Sequence, residues 1–274
     1  MNTVTSFMAA KGREKLTMLT AYDYSLARLI DQAGINAVLV GDSLGMVTLG
    51  HRDTLSVSVE DMLYHCKAVS RGISRALLVC DMPYLSYHIS MQDTVRNAGR
   101  LVTEGRAQAV KLEGGMEFVP EIRALVRASI PVMGHLGLTP QSVNAMGGFK
   151  VQGKTLAAAQ KLLDDARAVQ DAGAFSLVLE GIPAGLGARI TAELEIPTIG
   201  IGAGPDCDGQ VLVWQDMLGI SGLLPKFVRQ FAPVGDIMGK AFRDYITAVH
   251  DGAFPAEEHC YRIKDEAEVL AKLR

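Results

Sequence analysis

The chain contains 274 residues, of which 49% are hydrophobic, 21% are charged and 28 are glycine. This composition excludes an intrinsically disordered chain and is typical of an α/β protein with many short turns. The formal net charge of −3 excludes a strongly basic surface for nucleic acid or for an anionic membrane, so we expect a small-molecule partner.

Short apolar segments that end in polar or glycine-rich turns alternate with segments of helical period along the chain. The predicted strands are residues 15–23, 36–43, 76–83, 109–115, 131–140, 176–183, 197–204 and 219–225. The predicted helices are residues 24–33, 58–72, 91–105, 117–128, 154–172, 184–194 and 208–217. This alternation predicts a parallel sheet, and eight strands favour its closure into a (β/α)8 TIM barrel, with an open doubly wound sheet as the alternative.

No linker divides the chain, so we predict one barrel domain over residues 1–274 with a charged, helical C-terminal extension at about 255–274. The N-terminus carries charges where a signal peptide needs an apolar centre, and no apolar run approaches the roughly 18 residues that span a bilayer. The four cysteines include no CxxC pair, which is typical of reduced thiols rather than of a zinc site or a disulfide framework. We therefore expect a cytoplasmic protein with no membrane partner.

Polar side chains collect at the ends of the predicted strands. They are Asp42, Ser43, Asp81, Lys111, Glu113, His135 and Glu180. In a barrel these strand ends meet at the active-site face. Because side chains alternate along a strand, Lys111 and Glu113 point to the same face, and burying them unpaired would cost much free energy. We predict that both enter the polar mouth of the barrel.

A purely structural interpretation of these residues also exists. Lys111 and Glu113 would then pair with each other on an exposed edge strand, and each other acid would cap a helix or stabilise a turn. The equivalent positions of Asp42, Asp81 and Glu180 at other strand ends favour a shared site instead. His135 stays ambiguous, because a lone histidine at a strand end is more often structural.

Three carboxylates from neighbouring strands form an all-oxygen ligand set, which suits Mg²⁺, or Mn²⁺ as a substitute, better than zinc. Such an ion chelates a 2-oxo acid and stabilises the enolate that forms when the adjacent carbon loses a proton. Glu180 comes from a different strand and is predicted to be the general base for that proton. Lys111 is predicted to supply positive charge to the substrate oxygens.

Several motifs in one order resemble the ketopantoate hydroxymethyltransferase family over nearly the whole barrel. They are "TAYDYSLARLIDQAG", "VGDSLGM", "DMPYLSY", "VKLEGG", "GHLGLTPQSVN", "GGFKVQGK", "LVLEGIP", "IGIGAG", "DGQVLVWQDMLG" and "PKFVRQF". The resemblance implies a (β/α)8 enzyme of pantothenate biosynthesis. It would transfer the one-carbon unit of 5,10-methylenetetrahydrofolate to 3-methyl-2-oxobutanoate, giving 2-dehydropantoate and tetrahydrofolate.

The resemblance also implies roles for individual residues. Asp42, Asp81 and Glu113 would form the metal site for one Mg²⁺ per subunit, directly or through water. The oxo acid would contact Asp42, Ser43, Asp81 and Lys111, and Glu180 matches the proton acceptor of the family. A homodecamer is also implied. No local motif marks the folate site, so the loops at 44–56 and 138–153 are both candidates.

Two features depart from the family pattern. Gly181 follows Glu180 where some members have a larger residue, and the tail that runs through "RIKDEAEVLAKLR" is longer than in some members.

Two rival functions are also considered. A Mg²⁺-dependent 2-oxo acid lyase or mutase of the phosphoenolpyruvate mutase and isocitrate lyase kind would use similar carboxylates, but its cysteine-containing loop motif such as KKCGH does not occur here. A non-catalytic barrel would tolerate replacement of Asp42, Asp81 and Glu180.

Overall fold

The computed structural model describes residues 1–222 and 224–273. Its strands are β1 (Leu16–Thr20), β2 (Ala37–Val40), β3 (Leu77–Asp81), β4 (Ala109–Glu113), β5 (Val132–Gly137), β6 (Ser176–Glu180), β7 (Thr198–Ile201) and β8 (Gly209–Leu212). Each strand pairs in parallel with the next, and β8 pairs with β1, so the sheet closes. The predicted TIM barrel is confirmed.

Strand residues alternate between two apolar layers. Val110 and Leu112 pack in the layer between the sheet and the helices, whereas Ala109 packs with Met133 and other residues in the barrel interior. Full burial of each such leucine or valine contributes about 1.5–3 kcal/mol. The same alternation places Lys111 and Glu113, which follow Ala109 on the same face of β4, near the barrel mouth.

The helices are α1 (Val4–Ala9), α2 (Tyr24–Gln32), α3 (Leu44–Val47), α4 (Val59–Gly72), α5 (Met91–Thr103), α6 (Val119–Arg127), α7 (Val143–Met146), α8 (Leu156–Asp171), α9 (Ala184–Glu193), α10 (Trp214–Met217), α11 (Val234–His250) and α12 (Glu266–Ala271). Short 3-10 turns occur at Met116–Phe118, Pro140–Ser142 and Glu257–His259. Side chains of Asp23, Ser58, Ser90 and Thr155 cap the starts of α2, α4, α5 and α8 by accepting backbone N–H bonds. These caps explain why these four helices begin within about two residues of their predicted starts.

The prediction for the eighth strand is wrong. Residues 208–217, predicted as a helix, contain β8 followed at once by α10. Gly209 makes the strand pairing possible, because a Cβ there would lie 2.5 Å from the carbonyl oxygen of Leu16 on β1. The predicted strand at 219–225 instead contains turns with positive φ at Gly219 and Gly222, and its residue 223 lies outside the described residues.

Helix α1 closes the N-terminal end of the barrel. Phe7 is buried there and packs edge-on against Phe175, with ring centroids 6.0 Å apart. The hydroxyl groups of Thr3 and Ser6 cap the helix and fix its start. The barrel interior is therefore sealed by an aromatic contact at the end opposite the polar strand ends.

The C-terminal segment lies largely outside the packed core. Helix α11 contains no buried residue, and α12 follows within the predicted extension at 255–274, of which residue 274 lies outside the described residues. Leu270 and Leu273 are exposed. Within residues 1–222 and 224–273, no helix combines the length and the hydrophobicity needed to cross a membrane.

Candidate active site

The C-terminal ends of the strands bring together the predicted site residues. Asp81 pairs in register with Lys111 across β3 and β4, and Glu113 pairs with His135 across β4 and β5. Glu180 is the last residue of β6, and Asp42 and Ser43 directly follow β2. The predicted convergence is therefore observed as geometry, and it also includes His135.

Asp81 and Lys111 form a buried ion pair. Lys111 Nζ lies 2.9 Å from Asp81 Oδ1, and each side chain is 5% exposed. Burial opposes the charge on Lys111, but the neighbouring Asp81, Glu113 and Asp42 outweigh it and raise the pKa of the lysine. The surrounding carboxylates therefore favour the charged form of Lys111 in the site.

His135 connects the two glutamates. Its Nδ1 lies 3.4 Å from Glu113 Oε1, and its Nε2 lies 3.2 Å from Glu180 Oε2. Burial and Lys111, whose Nζ is 3.2 Å from Nδ1, oppose protonation of the ring. The nearby carboxylates of Glu113 and Glu180 outweigh both effects and raise the pKa of His135 to about 9. The ring therefore lies between the two glutamates, an arrangement that sequence alone leaves open because they come from two other strands.

Glu180 differs from the other acids in its access to solvent. Its side chain is 16% exposed, compared with 4% for Glu113. The following residue, Gly181, has φ of +57°, and a Cβ there would lie 3.1 Å from Leu138 Cβ. A larger residue at 181 would therefore strain the backbone directly after the glutamate.

The turn after β2 places Asp42 and Ser43 beside Asp81. The N–H of Asp42 donates to Asp81 Oδ2 at 3.1 Å, and the hydroxyl groups of Ser43 and Tyr22 are 2.9 Å apart. Gly41 allows this close approach, since a Cβ there would lie 2.8 Å from Ser43 Oγ and 3.4 Å from Asp81 Oδ2.

Gln141 and Tyr87 belong to the site although the sequence does not single them out. Gln141 Nε2 donates to Asp42 Oδ2 at 2.8 Å, and Tyr87 OH is 2.8 Å from Gln141 Oε1. Both side chains are neutral and lie in loops, so neither carries a charge pattern that marks a site. Only their position inside the motifs "GHLGLTPQSVN" and "DMPYLSY" could have drawn attention to them.

The donor set fits a hard divalent cation. Burial, together with repulsion from Asp81 and Glu113, raises the pKa of Asp42 well above its ordinary value. Burial also raises the pKa of Asp81, although Lys111 opposes the shift. A divalent cation would offset this concentration of buried negative charge.

The acids are not arranged as a closed metal cage. Among residues 1–222 and 224–273, no group of three or more His, Cys, Asp or Glu side chains forms a ready ligand cluster. Mg²⁺ commonly takes only one or two carboxylates and fills its other positions with water or substrate. The arrangement is therefore suited to an ion that shares its coordination sphere with a small acidic ligand.

Comparison with known proteins settles the family. The family model described as ketopantoate hydroxymethyltransferase matches residues 1–257. This chain belongs to the ketopantoate hydroxymethyltransferase family. Proteins named 3-methyl-2-oxobutanoate hydroxymethyltransferase from Clostridium novyi and Enterococcus faecalis are each 60% identical over 274 residues, with 99% of both chains covered. This ketopantoate hydroxymethyltransferase homologue is therefore an enzyme of the transferase class.

Solved structures with similar folds come from a wider group of proteins. Phosphonopyruvate hydrolase, in complex with oxalate and Mg²⁺, matches with a TM-score of 0.63 at 14% identity, covering 99% of this chain and 95% of that chain. 2,3-Dimethylmalate lyase, a member of the PEP mutase/isocitrate lyase superfamily, matches with a TM-score of 0.61 at 15% identity, covering 99% and 98%. At this identity the likeness shows a common fold and does not assign a lyase or mutase activity to the family member described here.

Proposed function

We propose that this enzyme transfers the one-carbon unit of 5,10-methylenetetrahydrofolate to 3-methyl-2-oxobutanoate, giving 2-dehydropantoate and tetrahydrofolate. The observation that carries the proposal is the buried Asp81–Lys111 pair beside a more exposed Glu180 at the barrel mouth of a ketopantoate hydroxymethyltransferase family member. This arrangement provides fixed charge for an anionic substrate and a separate carboxylate for proton transfer.

Glu180 is the general base in the proposed reaction. It takes the proton from C3 of the oxo acid, and the electron pair of that bond moves towards the carbonyl oxygen to give an enolate. His135 holds the Glu180 carboxylate in place through the 3.2 Å contact. Lys111 supplies positive charge near the oxygen atoms of the substrate, and Asp42 and Ser43 position the acid at the end of β2.

Asp42, Asp81 and Glu113 would hold one Mg²⁺ per subunit, directly or through water. When bound, the ion supplies Lewis-acid polarisation of the 2-oxo acid. The buried carboxylates and the raised pKa of Asp42 support this assignment. The residues themselves fix the position of the acid and exclude bulk water from beneath it, since Asp42, Asp81 and Glu113 are nearly fully buried.

Both carbon–nitrogen bonds of the folate methylene group break. The first cleavage opens the ring to an iminium; water then adds to the methylene carbon, the second bond breaks and the two water protons go to the nitrogens, giving formaldehyde and tetrahydrofolate. C3 of the enolate then bonds to the formaldehyde carbon, and the resulting oxygen takes the proton held by Glu180. Water supplies the hydroxyl oxygen of the product, because the methylene group of the folate carries none. A cavity of about 240 Å³ adjoins Glu113, and Gln141, Met146 and Gln152 from the loop at 138–153 contribute to its wall. We favour this side of the mouth for the folate over the loop at 44–56.

Proton NMR in D₂O tests the proposal with purified protein and 3-methyl-2-oxobutanoate, with and without Mg²⁺. We expect Mg²⁺-dependent loss of the C3 proton signal, followed by a new hydroxymethyl resonance only after methylenetetrahydrofolate is added. Exchange without the folate-dependent product would favour an enolate-forming lyase. Absence of both signals in folded, metal-replete protein would refute the proposed function.

The enzyme is also proposed to be a homo-oligomer, with the decamer of its family as the expected size, and to act as one catalytic domain in the cytoplasm. Phe242, Tyr245 and Ile246 on α11 are each more than half exposed, which supports burial of this helix by another copy. Native mass spectrometry should show a smaller assembly for Phe242→Asp combined with Ile246→Asp, but not for Arg243→Asp on the same helix. An unchanged mass for the double variant would remove α11 from the interface.

A further inference from the structure

Gln141 contacts two of the site carboxylates at once. Its side-chain Nε2 donates to Asp42 Oδ2 at 2.8 Å and to the carbonyl oxygen of Met82 at 3.0 Å. Its backbone N–H donates to Glu113 Oε2 at 3.0 Å. One buried residue in the loop after β5 therefore holds acids that come from the ends of β2 and β4.

The orientation of the Gln141 amide is determined by its surroundings. Nε2 faces two acceptors, a carboxylate and a carbonyl, so the opposite orientation would set the amide oxygen against both. Tyr87 OH lies 2.8 Å from Oε1 and therefore donates its single proton there. The same hydroxyl oxygen accepts the N–H of Glu113 at 3.2 Å. Burial raises the pKa of Tyr87, so the phenol stays protonated and able to donate.

The hydrogen bonds described above occupy some oxygen atoms of Asp42 and Asp81 and leave another free to bind a ligand. Asp42 Oδ2 is held by Gln141, whereas Asp42 Oδ1 has no hydrogen-bond donor among residues 1–222 and 224–273. Asp81 has both oxygens engaged, by Lys111 and by the N–H of Asp42. Oδ1 of Asp42 is therefore the oxygen best placed to meet a new positive ligand.

We propose that Gln141 is a positioning residue that orients Asp42 for cation and substrate binding, and that Tyr87 acts through Gln141 by fixing its amide. This inference rests on the function proposed above. Partners that orient metal ligands in this way commonly change metal affinity or activity by roughly 10- to 100-fold when they are removed. The hydrogen bonds that Gln141 makes go to Asp42, Glu113 and Met82, so the proposal assigns its effect to binding and not to proton transfer at Glu180.

The test compares Gln141→Met, which keeps the length of the side chain but removes its side-chain hydrogen bonds, with Tyr87→Phe, which removes only a hydroxyl group. Gln160→Met is the matched control, because Gln160 lies on α8 in an exposed bond with Asp164. The full-length proteins are titrated with Mn²⁺ and followed by electron paramagnetic resonance. The rate of C3 proton exchange is then measured against Mg²⁺ and oxo acid concentration. Urea unfolding reports the stability of each protein.

We expect the Mn²⁺ Kd to rise roughly 10- to 100-fold in Gln141→Met and about threefold or more in Tyr87→Phe, with no change in the control. The KM for the oxo acid should rise in parallel, while kcat for exchange at saturating Mg²⁺ stays within about threefold because Glu180 is untouched. A merely structural role for Gln141 would lower stability without moving Kd or KM in the folded protein.

A Mn²⁺ Kd within twofold of wild type in folded Gln141→Met overturns the proposal, whatever its stability. If that variant does not fold, Tyr87→Phe decides the question by the same criterion. A wild-type protein that neither binds Mn²⁺ nor exchanges the C3 proton contradicts the proposed function itself, so the two failures are distinguishable.

Discussion

Replacing Glu180 by Gln removes the proposed base while keeping its shape and its contact with His135. Removal of a positioned general base typically lowers the rate by 10²- to 10⁴-fold, which corresponds to a barrier higher by about 3 to 5 kcal/mol. The cost to stability should be smaller. The amide oxygen of Gln can keep the contact with His135 Nε2, which lies 3.2 Å from Glu180 Oε2, so mainly the attraction between the carboxylate and a protonated ring is lost, about 1 kcal/mol.

The assay is C3 proton exchange of 3-methyl-2-oxobutanoate in D₂O, with Mn²⁺ affinity and urea unfolding measured on the same protein. Glu195→Gln is the control, because Glu195 is exposed and lies outside the site. We expect exchange to fall at least 100-fold in Glu180→Gln, with Mn²⁺ affinity largely unchanged. Exchange within tenfold of wild type would refute the assignment of Glu180 as the base, and an equal loss in Glu195→Gln would point to a general effect of charge.

Three further predictions concern the surroundings of the base. In metal-free protein, Lys111→Met leaves Asp81 buried without its 2.9 Å partner. We expect a loss of about 3–5 kcal/mol in the free energy of unfolding by urea at pH 8, and a smaller loss at pH 5. A loss below about 1 kcal/mol at pH 8 would contradict a buried ion pair. The pKa of His135, about 9, exceeds the unfolded value of 6.5, so protonated His135 stabilises the folded protein by about 3 kcal/mol. This stabilisation is complete below pH 6.5 and disappears as the pH rises through 9. His135→Gln should flatten this pH dependence of unfolding in EDTA-treated protein. Gly41→Ala places a methyl group 2.8 Å from Ser43 Oγ and should raise the KM for the oxo acid, and an unchanged KM would show that the turn adapts.

The barrel could be predicted because its physical signal is local and repeated. Apolar runs that alternate with helical periods mark each βα unit, and capping residues such as Ser58 and Thr155 mark where helices begin. The eighth strand escaped prediction because Gly209–Leu212 begins with a glycine and contains the polar, exposed Gln210, so it lacks the apolar run that marks the other strands. This segment is a strand because it pairs with β1, a contact between distant parts of the chain.

The site was predictable only where a charge at a strand end is unusual. Lys111 and Glu113 stand out because a buried strand otherwise excludes ions. Gln141 and Tyr87 do not stand out, since a neutral amide and a phenol in loops are compatible with many environments. The bridge formed by His135 depends on the spatial arrangement of β4, β5 and β6, which no short sequence motif encodes.

The contact between Phe7 and Phe175 that closes the N-terminal end of the barrel affects how substrates reach the site. With that end of the barrel closed, both reactants of the proposed reaction would share the entrance at the strand ends. The proposed function would place the oxo acid against Asp81 and Lys111 and the larger folate above it. We therefore expect ordered binding with the small acid first, and release of tetrahydrofolate before the new hydroxy acid.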